Sequence, residues 1–262
     1  MMSIAPVQLG PIWFLGVTIA AVFLAYGARI LLVGRATDPR VQRERPTPLL
    51  GTFPMEAMHW ALRCAGAGVA AVGISPDAVT WASLILTIGT APLAATGHFD
   101  WAALLLALGA ACDAIDGIVA RRQAVGSDSG EVFDAVVDRY ADAMPLVGLA
   151  VYYRQDVIAL CLMLVAIVGC SMVSYVRAKA ESMHLSPPGG LMRRHERIVY
   201  IGIALAVGPY INIRLPFLAF ERPATVAAVA FVGILANIAA GLLTRTTRRM
   251  LNESGRGPHA NR

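Results

Sequence analysis

Charge and polarity are scarce in this chain. Only 15% of its 262 residues are charged and 57% are hydrophobic, and the mean hydropathy is +0.62. That scarcity excludes a two-domain soluble protein, because few segments are polar enough to wrap a core. Lysine is nearly missing too: Lys179 is the only one, so the net charge of +5 is carried almost wholly by arginine. In so apolar a chain, a basic excess marks membrane flanks facing anionic headgroups, not a nucleic-acid surface. Cysteine is sparse and scattered. Cys64, Cys112, Cys161 and Cys170 form no CxxC and no Cys/His cluster, which excludes the usual zinc and dithiol motifs and leaves buried thiols. There is no internal repeat and no low-complexity tract. The first apolar segment is too long, and lacks the basic start, expected of a cleavable signal.

What is present is a series of long apolar runs. A helix needs about 20 apolar residues to cross a bilayer. A leading helix is predicted near Pro11–Val33, followed by an arginine-rich linker from Arg35 to Pro48. Residues Phe53–Cys64 read as an amphipathic interfacial helix. Six core spans follow, near Pro76–Thr96, Trp101–Arg122, Glu131–Tyr153, Val157–Ala180, Arg197–Ile213 and Ala224–Leu243. The expected fold is therefore all-α: a polytopic membrane bundle of six core helices plus one N-terminal span and the interfacial helix. The corresponding organisation is an N-terminal anchor and linker over residues 1–50, a membrane domain over 51–245 and a basic tail over 246–262. Arginines gather in alternate loops (Arg35 to Arg63, Arg121 and Arg122, Arg177 to Arg197, and the tail), whereas the other side holds only Arg154, Arg214 and Arg222. The positive-inside rule then puts the N-terminus outside and the C-terminus in the cytoplasm of a cell (inner) membrane.

Against this background the stretch DAIDGIVARRQAVGSDSGEVFDAVVDRYAD, from Asp113 to Asp142, is anomalous. Asp113 and Asp116 share a helix face, and Asp134, Asp138 and Asp142 form an acidic stripe at steps of four. Gly126, Ser127 and Gly130 form the turn between the two helices, and Asp128 with Glu131 resembles a capping box. Unpaired, such charges are costly near lipid. A divalent cation neutralises them, and clustered hard oxygens suit magnesium or manganese, which in turn hold substrate phosphates. Arg121 is placed to reach the same phosphates as a forked donor. The plainer alternative is helix–helix pairing of acids with arginine. It suits Asp142 taken alone better than it suits a set so regularly spaced.

The pattern Asp113-x2-Asp116-Gly117-x2-Ala120-Arg121-x8-Gly130-x3-Asp134-x3-Asp138 resembles the complete signature of the CDP-alcohol phosphotransferases. The resemblance runs from about Ile74 to Leu243 and leaves out the leading helix. It implies transfer of a phosphatidyl group from a CDP-linked lipid, usually CDP-diacylglycerol, to an alcohol, with release of CMP. It also implies two metal ions held by Asp113, Asp116 and Asp134. Asp138 then stands at the same centre as the base that takes the proton of the attacking hydroxyl. Gly117 and Ala120 admit the cytidine, and Arg121 lies near the diphosphate. A carboxylate base is weak alone and works because a neighbouring metal acidifies or orients the nucleophile. ISPDAVTWASL, from Ile74, is similar to the family's first core helix, with Asp77 and Thr80 as possible nucleotide contacts and simple capping as the alternative. A homodimer is the family's common state.

The acceptor is read from SYVRAKAESMHLSPPGGLMRRHERIVY, Ser174 to Tyr200. This is similar to the phosphatidylinositol phosphate synthase branch, whose acceptor is an inositol phosphate. Arg177, Arg194 and Arg197 match its acceptor-binding cations, while Arg193 and His195 depart from the branch pattern. A positive-inside loop explains the same cations more simply, and glycerol phosphate is a rival acceptor. Other classes fit less well. A membrane prenyltransferase separates its two acidic motifs widely in sequence. An ion-coupled transporter spreads its acids through the membrane and shows repeats.

Overall fold

The computed structural model describes residues 9–35, 51–125, 127–188, 190–211 and 221–254, and these are helical apart from short connections. In chain order the helices are α1 (Leu9–Val33), α2 (Thr52–Ala71), α3 (Pro76–Ala95), α4 (Phe99–Gln123), α5 (Asp128–Tyr152), α6 (Val157–Ser182), α7 (Arg194–Ala206) and α8 (Pro223–Glu253), with a single 3₁₀ turn at Gly208–Tyr210. The linker arginines between residues 36 and 50, and also Gly126 and Arg214, lie outside the described residues.

Side-chain caps fix where several helices begin. Ser75 accepts the Ala78 amide with Pro76 at the first turn, and Asp156 accepts the Ala159 amide. At α5 the cap is Ser127, whose Oγ accepts the Gly130 amide at 3.1 Å. This corrects the expected Asp128/Glu131 box: the cap lies one residue earlier, and Gly130 belongs to the helix, not to the turn. Ala124 closes α4 in the left-handed region at φ 54°.

Five of the helices are long and apolar enough to cross a membrane among the described residues: α1, α3, α4, α6 and α8. The protein is an integral membrane helix bundle. Two expected spans depart from that picture. Helix α5 has the length, 25 residues, but carries the acidic stripe. Helix α7 has 13 residues and stops at Ala206, where Gly208 and Pro209 start the 3₁₀ turn. At about 1.5 Å per residue it is far shorter than a bilayer core of about 30 Å. Helix α2 extends to Ala71, beyond the expected end at Cys64, and its Gly66 lies against Ile118 of α4. The thiols also differ from expectation: Cys170 is buried, but Cys64 and Cys161 are exposed on the bundle surface.

Helix α3 packs against both α4 and α5, while α4 and α5 touch each other little. The two acidic helices are thus neighbours in sequence with a third helix wedged between them. Small residues permit the wedge. A side chain at Gly148 would strike Ala91 and Ala94, and one at Gly109 would come within 3.3 Å of the Ser83 carbonyl. Helices α6 and α8 pair in the same way through Gly169, Gly233 and Ala166. Helix α1 is fastened to the bundle. Tyr26 is fully buried, donates to Glu56 Oε2 at 3.1 Å and lies 5.7 Å from the ring of Phe53.

Candidate active site

The carboxylates meet between α4 and α5, about two to three turns in from the helix ends at Gln123 and Asp128. One carboxylate oxygen from each of Asp113, Asp134 and Asp138 lies within 4.8 Å of the others. Asp116, the fourth expected ligand, is one turn further along α4 and is buried at 6% exposure. Its Oδ2 accepts the Thr80 hydroxyl at 2.7 Å. Thr80 is therefore buried beneath the cluster, bound to a carboxylate, whereas Asp77 is exposed at the start of α3.

The guanidinium at this centre comes from Arg194, the first residue of α7. Its Nη1 and Nη2 donate to the two oxygens of Asp113 at 2.7 and 3.0 Å. Nη2 lies 2.8 Å from Asp138 Oδ1, and Nε lies 3.4 Å from Asp142 Oδ1. The contact with Asp138 is an ion pair without hydrogen-bond alignment, so that oxygen has no hydrogen-bond partner among the described residues. Paired helices thus do bring acid and arginine together, but the arginine is supplied 81 residues downstream of Asp113.

Arg197, one turn on, is 2% exposed. It donates to Asp142 Oδ2 at 2.6 Å, to Ser174 Oγ at 2.8 Å and to the Met192 carbonyl at 2.9 Å. It therefore ties α5, α6 and the segment before α7 into one unit. Its guanidinium, expected to meet an acceptor phosphate, bonds three protein groups through Nη1 and Nη2, and its Nε has no hydrogen-bond partner among the described residues. Arg177 is half-buried one turn beyond Ser174 on α6. The start of α7 is held by Glu196, which is buried and accepts the Arg193 amide at 2.9 Å. Ser174, Met192 and Glu196 escaped sequence reasoning. Only the i, i+3 spacing of Ser174 and Arg177 hinted that Ser174 faces the site.

Gly117, expected to admit the cytidine, lies instead beside the Arg121 guanidinium in this structure. A side chain on Gly117 would come within 3.2 Å of Arg121 Nη1, so the glycine makes room for that guanidinium. Ala120 is half-buried on the same stretch of α4. Gln123 Nε2 donates to the Ile74 carbonyl at 2.9 Å and ties the end of α4 to the entry of α3.

The donor set fits a divalent cation. Asp134 Oδ1 is buried with no hydrogen-bond partner among the described residues, although a buried anionic oxygen is costly unless something positive meets it. Hard carboxylate oxygens converging from two helices are the ligands such a cation prefers. Asp113, Asp134 and Asp138 would hold it, and in this structure the Arg194 guanidinium lies between Asp113 and Asp138 and supplies part of the positive charge.

Comparison with known proteins agrees with this chemistry. The family model described as CDP-alcohol phosphatidyltransferase matches residues 73–235. The phosphatidylinositol phosphate synthase of Corynebacterium glutamicum is 37% identical over 140 residues, which span 51% of this chain and 64% of that protein. Among solved structures, the Mycobacterium tuberculosis phosphatidylinositol phosphate synthase with CDP-DAG bound superposes with a TM-score of 0.63 at 24% identity, covering 76% of this chain and 96% of that one. The same enzyme in complex with manganese and citrate gives 0.62 at 24% identity, covering 71% and 88%. These likenesses establish a shared fold. Taken with a match that spans more than half of the sequence and contains every carboxylate of the cluster, they lead to one conclusion: the chain belongs to the CDP-alcohol phosphatidyltransferase family.

Proposed function

We propose that this protein moves the phosphatidyl group of CDP-diacylglycerol onto a hydroxyl of a phosphorylated polyol and releases CMP. Inositol phosphate is the favoured acceptor. The observation that carries the reading is the convergence of Asp113, Asp134 and Asp138 within 4.8 Å beside the paired guanidinium of Arg194. The names of the relatives, and the CDP-DAG and manganese bound in the solved structures, support it.

In this reading Asp113, Asp116, Asp134 and Asp138 would hold two divalent ions, magnesium or manganese, which would supply positive charge for the diphosphate and the departing CMP, and Thr80 fixes the orientation of Asp116. Asp138 takes the proton of the acceptor hydroxyl, whose oxygen attacks the phosphatidyl phosphorus as the bond to the CMP oxygen breaks. Gly117 and Ala120 keep α4 open to the cytidine, Arg121 meets the diphosphate and Asp77 lies at the nucleotide's edge. Arg177 and Arg194 face the acceptor's phosphate, and Arg197 supports them through Asp142 and Ser174. The arginine asymmetry supports a bundle with its carboxylates toward the cytoplasm, its N-terminus outside and its C-terminus inside, an arrangement in which the short α7 and the segment after it complete a seventh crossing. The family resemblance supports a homodimer.

The test offers radiolabelled CDP-diacylglycerol to the purified protein with magnesium and a panel of acceptors. A phosphatidylinositol phosphate product, with inositol and glycerol phosphate used poorly, is the expected result. Equal use of inositol and its phosphate rejects the acceptor assignment. No CMP release with any acceptor rejects the activity.

A further inference from the structure

An arginine-lined cavity lies apart from the carboxylate cluster, between α1, α2 and the last turn of α4. Its volume is about 230 Å³, and Arg29, Glu56, His59, Trp60, Arg63 and Arg122 line it. We propose that it binds the phosphate of an anionic phospholipid headgroup.

Three guanidiniums line it from three helices, and Glu56, which accepts the Tyr26 hydroxyl, is the one carboxylate in its lining among the described residues. Arg29 donates to the Gly34 carbonyl at 2.7 Å, which uses one of the five donors a guanidinium offers. Forked arginine donors match the oxygens of a phosphate. At about 230 Å³ the cavity is smaller than the sites that enclose drug-sized ligands, so it suits a headgroup whose remainder stays outside.

The surroundings favour a lipid over free phosphate. Arg29 lies in the last turns of α1, followed by Leu31, Leu32 and Val33, which are 88%, 84% and 76% exposed. That apolar flank is where acyl chains would run beside a headgroup held by the arginines. Trp60 is an aromatic of the kind that sits at headgroup depth. Basic pockets between membrane helices are a recurrent form of headgroup site. Two of the three walls, α1 and α2, lie outside the matched residues 73–235, so this site is separate from the transfer chemistry and does not depend on it.

The test measures binding directly. Purified protein in a zwitterionic detergent is titrated with phosphatidylglycerol, with phosphatidylcholine and with inorganic phosphate. Bound lipid is counted by native mass spectrometry, and thermal unfolding is followed in parallel. Retention of phosphatidylglycerol and a rise in melting temperature, with neither from phosphatidylcholine, are expected. Arg29→Gln should weaken phosphatidylglycerol binding roughly fivefold, in keeping with the contribution of one basic residue near anionic lipid. Because Arg29 also closes the end of α1, Arg63→Gln at an exposed position is the second variant, with the same expected loss and CMP release unchanged. Equal retention of the two lipids overturns the proposal, as does full phosphatidylglycerol binding by a folded Arg63→Gln variant. An equal shift from inorganic phosphate overturns the assignment to a lipid.

Discussion

Replacing Arg197 by Met tests whether the buried clamp holds the site together. In the native protein one guanidinium serves Asp142, Ser174 and the Met192 carbonyl at 2.6, 2.8 and 2.9 Å. Without it, Asp142 keeps only long contacts, to Arg194 Nε at 3.4 Å and to Ser174 Oγ at 3.5 Å, with its side chain 8% exposed. Breaking a buried pair by removing one partner costs about 3–5 kcal/mol. In a chain of this size each kcal/mol moves the melting temperature by about 2–4 °C, so a fall of roughly 6–20 °C is expected. Arg197→Lys should recover less than half of the loss, because one ammonium cannot reach three acceptors on three segments. Arg197→Met combined with Asp142→Leu should recover most of it, since no charge is then left buried alone. Tryptophan fluorescence during heating in nanodiscs provides the readout. An unchanged melting temperature for Arg197→Met, or a double variant no more stable than the single one, would refute the clamp.

Three further outcomes concern the chemistry. Asp113→Asn and Asp134→Asn should each abolish turnover, as a chelator should in the wild type; appreciable CMP release without divalent metal would contradict the carboxylate assignment. Asp138→Asn should slow the chemical step by roughly 100-fold or more while CDP-diacylglycerol still binds; single-turnover rates beside calorimetry decide, and an unchanged rate removes Asp138 as the base. Arg194→Gln should raise the Michaelis constant for the acceptor by roughly 10- to 100-fold, the equivalent of one or two lost charge-assisted bonds. Steady-state kinetics with each substrate varied would show a smaller change for CDP-diacylglycerol, and an unaffected acceptor constant would place Arg194 wholly with the carboxylates.

The carboxylate cluster was legible because helical spacing turns residue intervals into faces. Asp113/Asp116 and Asp134/Asp138 needed only two helices joined by a short turn, and the structure supplies that turn. The arginine network was not legible in the same way. Arg194 reaches Asp113 across 81 residues, and the sequence offered no reason to prefer it over Arg121, Arg122 or Arg139 as the partner of the acids. The length of α7 was misread although its signal was available. Hydropathy alone carried the span to Ile213, while Gly208-Pro209 marked the break. The cap on α5 was displaced by one residue because Ser127 and Asp128 are both good N-caps. The wedge of α3 between α4 and α5 depends on which small residues meet across helices, and a single sequence does not display that.

That wedge makes α3 the spacer of a caliper whose jaws are the two acidic helices. The gap between Asp113 on one jaw and Asp134 and Asp138 on the other follows from how closely Gly109 seats on Ser83 and Gly148 on Ala91. One methyl group added at Gly109, one turn before Asp113, or at Gly148, further along the other jaw, would open the jaws. The tolerance of the carboxylate cluster is therefore set by helix-packing residues with no chemistry of their own.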